Sequence, residues 1–145
     1  MGSGDKIGLF LLPFVLVGIL ADVVAPSVFG VGGPSDLLRA ISILVLIPGV
    51  TIWIWSVVLI LVKVPRGELI TTGPFALVKH PIYTAVPLLV LPWFGFLLNS
   101  WLGAALGIVM YIAARRYAPA EEGALAETFG SEWDDYCATV KIPWV

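Results

Sequence analysis

The sequence is short of charge, cysteine and histidine. Asp, Glu, Lys and Arg make up 12% of its 145 residues, about half the share in an ordinary soluble domain. That excludes a soluble globular domain and a disordered chain. A net charge of -2 gives no basic footprint for nucleic acid. A single cysteine, Cys137, can form neither an internal disulfide nor a Cys-based zinc site. A single histidine, His80, excludes a His-rich metal centre. There is no phosphate-binding Walker loop, no Gly-rich dinucleotide fingerprint and no nucleophile elbow. No charge falls in the middle of an apolar run, so an ion pathway has no residues to line it. What is present is 59% hydrophobic residues. The class that remains is a small integral membrane domain.

The charges mark out the apolar runs. Residues 7–21 carry none and the run extends to Ala25; residues 40–62 carry none; residues 81–114 carry none. A spanning helix needs about 20 apolar residues. The first two runs are one helix each. The third is too long for one crossing and is interrupted at Asn99-Ser100, so it reads as a helical hairpin, roughly 82–98 and 101–117. The expected fold is all-α with four transmembrane helices, the last two a hairpin, and a C-terminal cytoplasmic amphipathic helix. Residues 1–63 hold the first two helices, and 64–145 hold a loop, the hairpin and the C-terminal helix. The first run reads as a helix rather than a signal peptide, because Lys6 is offset by Asp5 and the one plausible cleavage point, after Ala25, precedes Pro26. With both ends on one side, that side carries Lys6, Lys63, Arg66, Lys79, Arg115, Arg116 and Lys141, against Arg39 on the other. The positive-inside rule then makes the termini and the 63–80 loop cytoplasmic. Pro26, Gly30, Gly32, Gly33 and Pro34 predict turns in the outer loop around Val23–Asp36.

After Arg116 the composition turns acidic. Glu121, Glu122, Glu127, Glu132, Asp134 and Asp135 fall within 118–140 without a base. Leu125, Phe129, Trp133, Tyr136 and Val140 recur at helical spacing and form one apolar stripe. The spacing predicts a helix lying back on the membrane domain, with a break near Gly130. Gly103 and Gly107 form a small-xxx-small pair that lets helices approach closely.

The polar residues gather in two clusters on the same predicted face. The first is the 67–83 loop, with Gly73-Pro74 as a turn and His80-Pro81 opening a helix. A helix start leaves N–H groups free and suits a carboxylate or phosphate. An interfacial helix start with Lys79 snorkelling to water explains the same residues. The second cluster is Arg115-Arg116-Tyr117 followed by Glu121-Glu122. It reads equally as a topology anchor followed by acids in the first turn of a new helix. Phe75, Tyr83, Trp133 and Tyr136 add aromatic faces that suit a cation.

In this order the two clusters resemble the isoprenylcysteine carboxyl methyltransferase and phospholipid methyltransferase group of integral membrane enzymes. The matching pieces are Gly73-Pro74-Phe75, Lys79-His80-Pro81-Ile82-Tyr83, Glu121-Glu122 with Leu125, and Phe129-Gly130 with Trp133 and Tyr136. They cover about residues 65–143, around the uncharged hairpin. The resemblance implies S-adenosyl-L-methionine as cofactor, leaving S-adenosyl-L-homocysteine, in a cytoplasmic pocket between the loop and the C-terminal helix. Carried over by position, the cofactor residues are Gly67, Leu69, Ile70, Phe75, His80, Pro81, Ile82, Tyr83 and Glu121. The implied acceptor is a lipophilic small molecule or membrane lipid, with Arg116 or Tyr117 orienting it. Three positions depart from the pattern. Lys79 replaces an arginine, Phe75 replaces a tyrosine, and Tyr117 stands where prenylcysteine enzymes place an arginine for the acceptor carboxylate. The other readings are a membrane reductase using NADPH, whose sterol-reductase-like members share part of the C-terminal pattern, and a non-enzymatic scaffold.

Overall fold

The computed structural model describes residues 3–33 and 35–142, with side chains from Lys6 onward. The expected turn at Pro34, the Asp5 charge and residue 143 at the end of the motif region lie outside what is described. Every regular element among the described residues is helical. α1 (Ser3–Val24), a single-turn α2 (Pro26–Phe29) and α3 (Asp36–Lys63) form the first half. Two stretches, Lys6–Val24 and Asp36–Arg66, are long and apolar enough to cross a membrane. Their apolar side chains mostly face outward; Leu12, Leu16, Leu20, Leu44, Ile47 and Ile54 are all exposed. An outward apolar surface of this kind suits membrane association, whereas a soluble monomer keeps such patches small.

The second half is a bent rod followed by a long helix. α4 (Pro81–Ala85), a π-bulge at Val86–Val90 and α5 (Leu91–Leu97) run on as one rod. Pro87 and Pro92 lack N–H donors, so the regular ladder cannot pass through them, and the widened turn accommodates this. The predicted break at Asn99-Ser100 is a tight turn, with Asn99 at φ 60°. Its Oδ1 accepts from Val31 N at 3.2 Å and Gly33 N at 2.9 Å. Ser100 Oγ donates to Asp22 Oδ1 at 3.1 Å. This end of the bundle is thereby tied to the α1–α3 connection. In that connection Pro26–Phe29 closes a helical turn instead of an open loop, because Pro26 is well placed to start one.

α6 (Leu102–Phe129) packs against both α1 and α5. A Cβ on Gly95 would lie 2.7 Å from Gly103 Cα, and Cβ atoms on Gly103 and Gly107 would collide with the carbonyl oxygens of Leu91 and Pro87. The close approach expected from Gly103 and Gly107 is therefore present, with Gly95 as its other half. On α3, the buried residues Ser42, Gly49 and Ser56 fall seven apart and form a narrow seam. A Cβ on Gly49 would lie 2.8 Å from Leu89 Cβ on the rod.

One boundary differs from the sequence reading. The last helix of the hairpin does not stop at 117; α6 continues unbroken to Phe129. Residues 118–129 are rich in alanine and glutamate, which carry the helix past Pro119. Glu121 and Glu122 consequently sit inside a long helix, not in the first turn of a new one. The expected break comes at Gly130, with φ 54°, and α7 (Ser131–Thr139) follows. The N-terminal end of α1, the C-terminal end of α3, the start of the rod and the C-terminal half of α6 lie at one end of the bundle. Ile7 of α1, for example, is buried against Met110, Ala113 and Ala114 of α6.

Candidate functional site

The loop after α3 is shaped by two left-handed glycines. Val64–Arg66 makes a 3-10 turn that ends at Gly67, φ 69°, whose N–H returns to Val64 O at 3.0 Å. Gly73, φ 63°, opens a second turn, Gly73–Ala76, against Trp55. A Cβ on Gly73 would come within 3.1 Å of the Trp55 indole. The acidic tail is strapped across this loop. Tyr136 Oη donates to Phe75 O at 2.7 Å, and Ile142 N donates to Leu77 O at 2.9 Å. Burial pushes the Tyr136 phenol up, so it remains a donor at neutral pH. The stripe predicted from residue spacing is the packing surface: Trp133, Tyr136 and Val140 are buried, with Leu125, Phe129 and Leu69 against them. It spans the end of α6 and α7, folded at Gly130.

His80 N-caps the rod and is buried at 6% exposure. The first helical hydrogen bond runs from Thr84 N to His80 O at 3.1 Å, so the N–H groups of Ile82 and Tyr83 precede the ladder. The two adjacent glutamates of α6 have different partners. Glu122 accepts from Lys79 Nζ at 2.6 Å, and its other oxygen lies 3.3 Å from His80 Nε2. Glu121 accepts from Tyr83 Oη at 3.1 Å through Oε2. The His80 and Tyr83 rings stack at 5.3 Å. Burial holds the His80 imidazole below its ordinary value, against the opposing pull of Glu121 and Glu122. The ring is therefore neutral at pH 7.

These side chains surround a cleft of about 200 Å³. Gly67, Leu69, Ile70 and Phe75 form the loop wall, His80 and Glu121 the polar corner, and Phe129, Trp133 and Tyr136 the aromatic wall. A small chamber of about 70 Å³ continues it between Ile60, Ile82, Tyr83 and Glu121. On the opposite side the cleft adjoins a shallow mouth of about 640 Å³ bearing Glu68, Glu132 and Asp135.

Every residue carried over as cofactor-binding lines the cleft or its chamber: Gly67, Leu69, Ile70, Phe75, His80, Pro81, Ile82, Tyr83 and Glu121. The two acceptor candidates do not. Arg116 is exposed on α6. Tyr117 packs on the Ile7–Met110 cluster, its ring edge-on to Phe10 at 6.4 Å. The sequence reading also left Glu122 unassigned, although it fixes both Lys79 and His80, and it did not single out Glu68. Lys79 does not snorkel to water but pairs with Glu122. The chain has no significant match among family models, curated proteins or solved structures.

Proposed function

We propose that this chain is an integral membrane methyltransferase that uses S-adenosyl-L-methionine and acts on a lipophilic acceptor. The observation that carries the reading is the meeting, in one cleft, of two motif clusters separated in sequence by the whole hairpin. The cleft also has the donor set the cofactor needs. Glu121 has one oxygen held by Tyr83 and the other without a partner among the described residues, which suits a cationic or hydroxyl group. The helix start at Ile82 and Tyr83 suits a carboxylate. Phe129, Trp133 and Tyr136 suit an adenine face and a sulfonium. The enclosed 200 Å³ is small for a whole nucleoside, and the adjoining mouth supplies the remaining room.

In this reading the chain crosses the membrane four times, the rod and the first half of α6 forming a hairpin, with both termini and the cleft on the cytoplasmic side. When bound, the cofactor supplies an electrophilic methyl group on a sulfonium, so the transfer is a direct in-line displacement. The protein aligns the reactants and shields them from bulk water. Tyr83 holds Glu121 in place, and Glu122 holds Lys79 and His80. Arg116 and Tyr117 line neither the cleft nor its chamber, so this reading gives neither of them a part in orienting the acceptor.

The test is a calorimetric titration of the purified chain in detergent with S-adenosyl-L-methionine, S-adenosyl-L-homocysteine and NADPH. Both adenosyl compounds should bind. Glu121→Gln should weaken them about tenfold, the loss of one charge-assisted hydrogen bond. NADPH binding without adenosyl binding would replace this reading with the reductase, and no binding at all would leave a scaffold.

A further inference from the structure

A second cavity lies on the other side of the rod's first turn and shares only Pro81 with the candidate site. It has a volume of about 460 Å³ and sits between α3, the Gly73–Ala76 turn, the rod and the C-terminal segment. Ile52, Ala85 and Leu89 make its inner walls, and the exposed Trp55, Leu77 and Ile142 make its rim. Almost no polar atom faces it. The one hydroxyl on its wall, Thr84 Oγ1, donates to His80 O at 3.1 Å. Its single charged residue is Lys141, which is exposed and has no ion pair among the described residues. Lys141 is also the only base after Arg116 in an otherwise acidic tail. Ile142 N, bonded to Leu77 O at 2.9 Å, pins the segment so that Lys141 stays at the mouth.

We propose that this cavity binds one acyl chain of a membrane phospholipid with an anionic headgroup, the phosphate resting against Lys141. Three features select this occupant. The walls are apolar along α3, a helix of membrane-crossing length. An indole lies beside the opening, as at a bilayer interface. The one cation at the mouth, without an ion pair among the described residues, complements a phosphate and would repel a cationic head. A lipid seated here would bridge α3, the rod and the C-terminal segment, and so brace the loop that forms the cleft. The inference is independent of the methyl donor.

The experiment uses the full chain in neutral detergent. Tryptophan fluorescence is quenched by brominated-chain phosphatidylglycerol or by brominated-chain phosphatidylcholine. The anionic lipid should quench at about fivefold lower concentration, the preference a single interfacial lysine confers. Trp55→Phe should remove the preferential part of the quenching. Lys141→Gln should equalise the two lipids, and Leu77→Glu, an exposed rim position, should raise the concentration of phosphatidylglycerol needed above that of phosphatidylcholine. Equal quenching of wild type by both lipids overturns the proposal without reference to any variant. A preference that survives Lys141→Gln or Trp55→Phe overturns it as well.

Discussion

Glu121 and Glu122 are neighbours in sequence and face different partners. Successive side chains on a helix diverge by about 100°. Glu122 meets Lys79 and His80, while Glu121 meets Tyr83 at the cleft. The two should therefore separate by substitution. Glu122→Gln removes the charge from a pair whose side chains are only 13% and 27% exposed. It should lower unfolding stability by roughly 1–3 kcal/mol, as for other hydrogen bonds to charged groups. Glu121→Gln should leave stability within about 0.5 kcal/mol of wild type and act on ligand binding. Thermal unfolding in detergent, run beside the binding titration, reads both effects. Equal destabilisation by the two variants would remove the division of roles. The sequence made the pair visible as a cluster but not its division. Which glutamate turns to which partner depends on the helix phase set by packing around Gly103 and Gly107.

His80 gives the site a pH dependence with a definite sign. Its folded-state value is depressed by burial, so the unfolded chain takes up a proton more readily. Stability from this group is fully present above about pH 6.5, the ordinary imidazole value, and is lost as pH falls from there through the folded value. The melting temperature should drop on acidification below that point, and His80→Gln should flatten the slope. A flat wild-type profile between pH 7 and pH 5 would contradict the assigned neutral state.

At the scale of elements, the legible features were those that composition alone dictates. The uncharged runs gave α1, α3 and the hairpin, and Asn99-Ser100 marked its turn. The end of α6 was not legible, because Pro119 and the shift to acidic residues resemble a boundary. An exposed proline in an alanine-rich stretch does not outweigh the packing on either side of it. Gly103 and Gly107 were readable as a close-approach pair, whereas Gly95 was not, since its partner lies across a turn. Two substitutions on the same helix should act in opposite directions. Gly103→Leu forces a side chain into the Leu91 carbonyl and the Gly95 backbone, and should destabilise by about 3 kcal/mol or more. At Gly123 a Cβ meets nothing within 4 Å, so Gly123→Ala should stabilise by about 0.5–1 kcal/mol through helix propensity. Denaturation in one detergent compares them directly. Destabilisation by Gly123→Ala would mean that α6 is not helical there.

For the whole molecule, the polar clusters and most of the basic residues share one end, while the outward surface between the ends is apolar. α3 is the strongest element with which to fix orientation. It carries Asp36 and Arg39 at one end and Lys63 at the other, with Arg66 in the turn just beyond and an uncharged interior. The rod is a weaker marker. Its 17 residues, Pro81–Leu97, rise about 25 Å at helical pitch, less than a hydrocarbon core of about 30 Å. In the proposed four-crossing arrangement the hairpin would thin the bilayer locally. If the basic end is cytoplasmic, a cysteine at position 36 should react with a membrane-impermeant maleimide in intact cells. A cysteine at position 66 should react only after permeabilisation. Both are read in a Cys137→Ser background. Asp36 and Arg66 are exposed and lie away from the cleft walls, so neither substitution should disturb the bundle. Labelling of both positions from outside would mean that α3 does not cross. Labelling of 66 alone would invert the molecule and place the cleft on the side opposite the cytoplasmic supply of an adenosyl donor. The methyltransferase reading would then lose its substrate while the lipid cavity beside Lys141 kept its occupant.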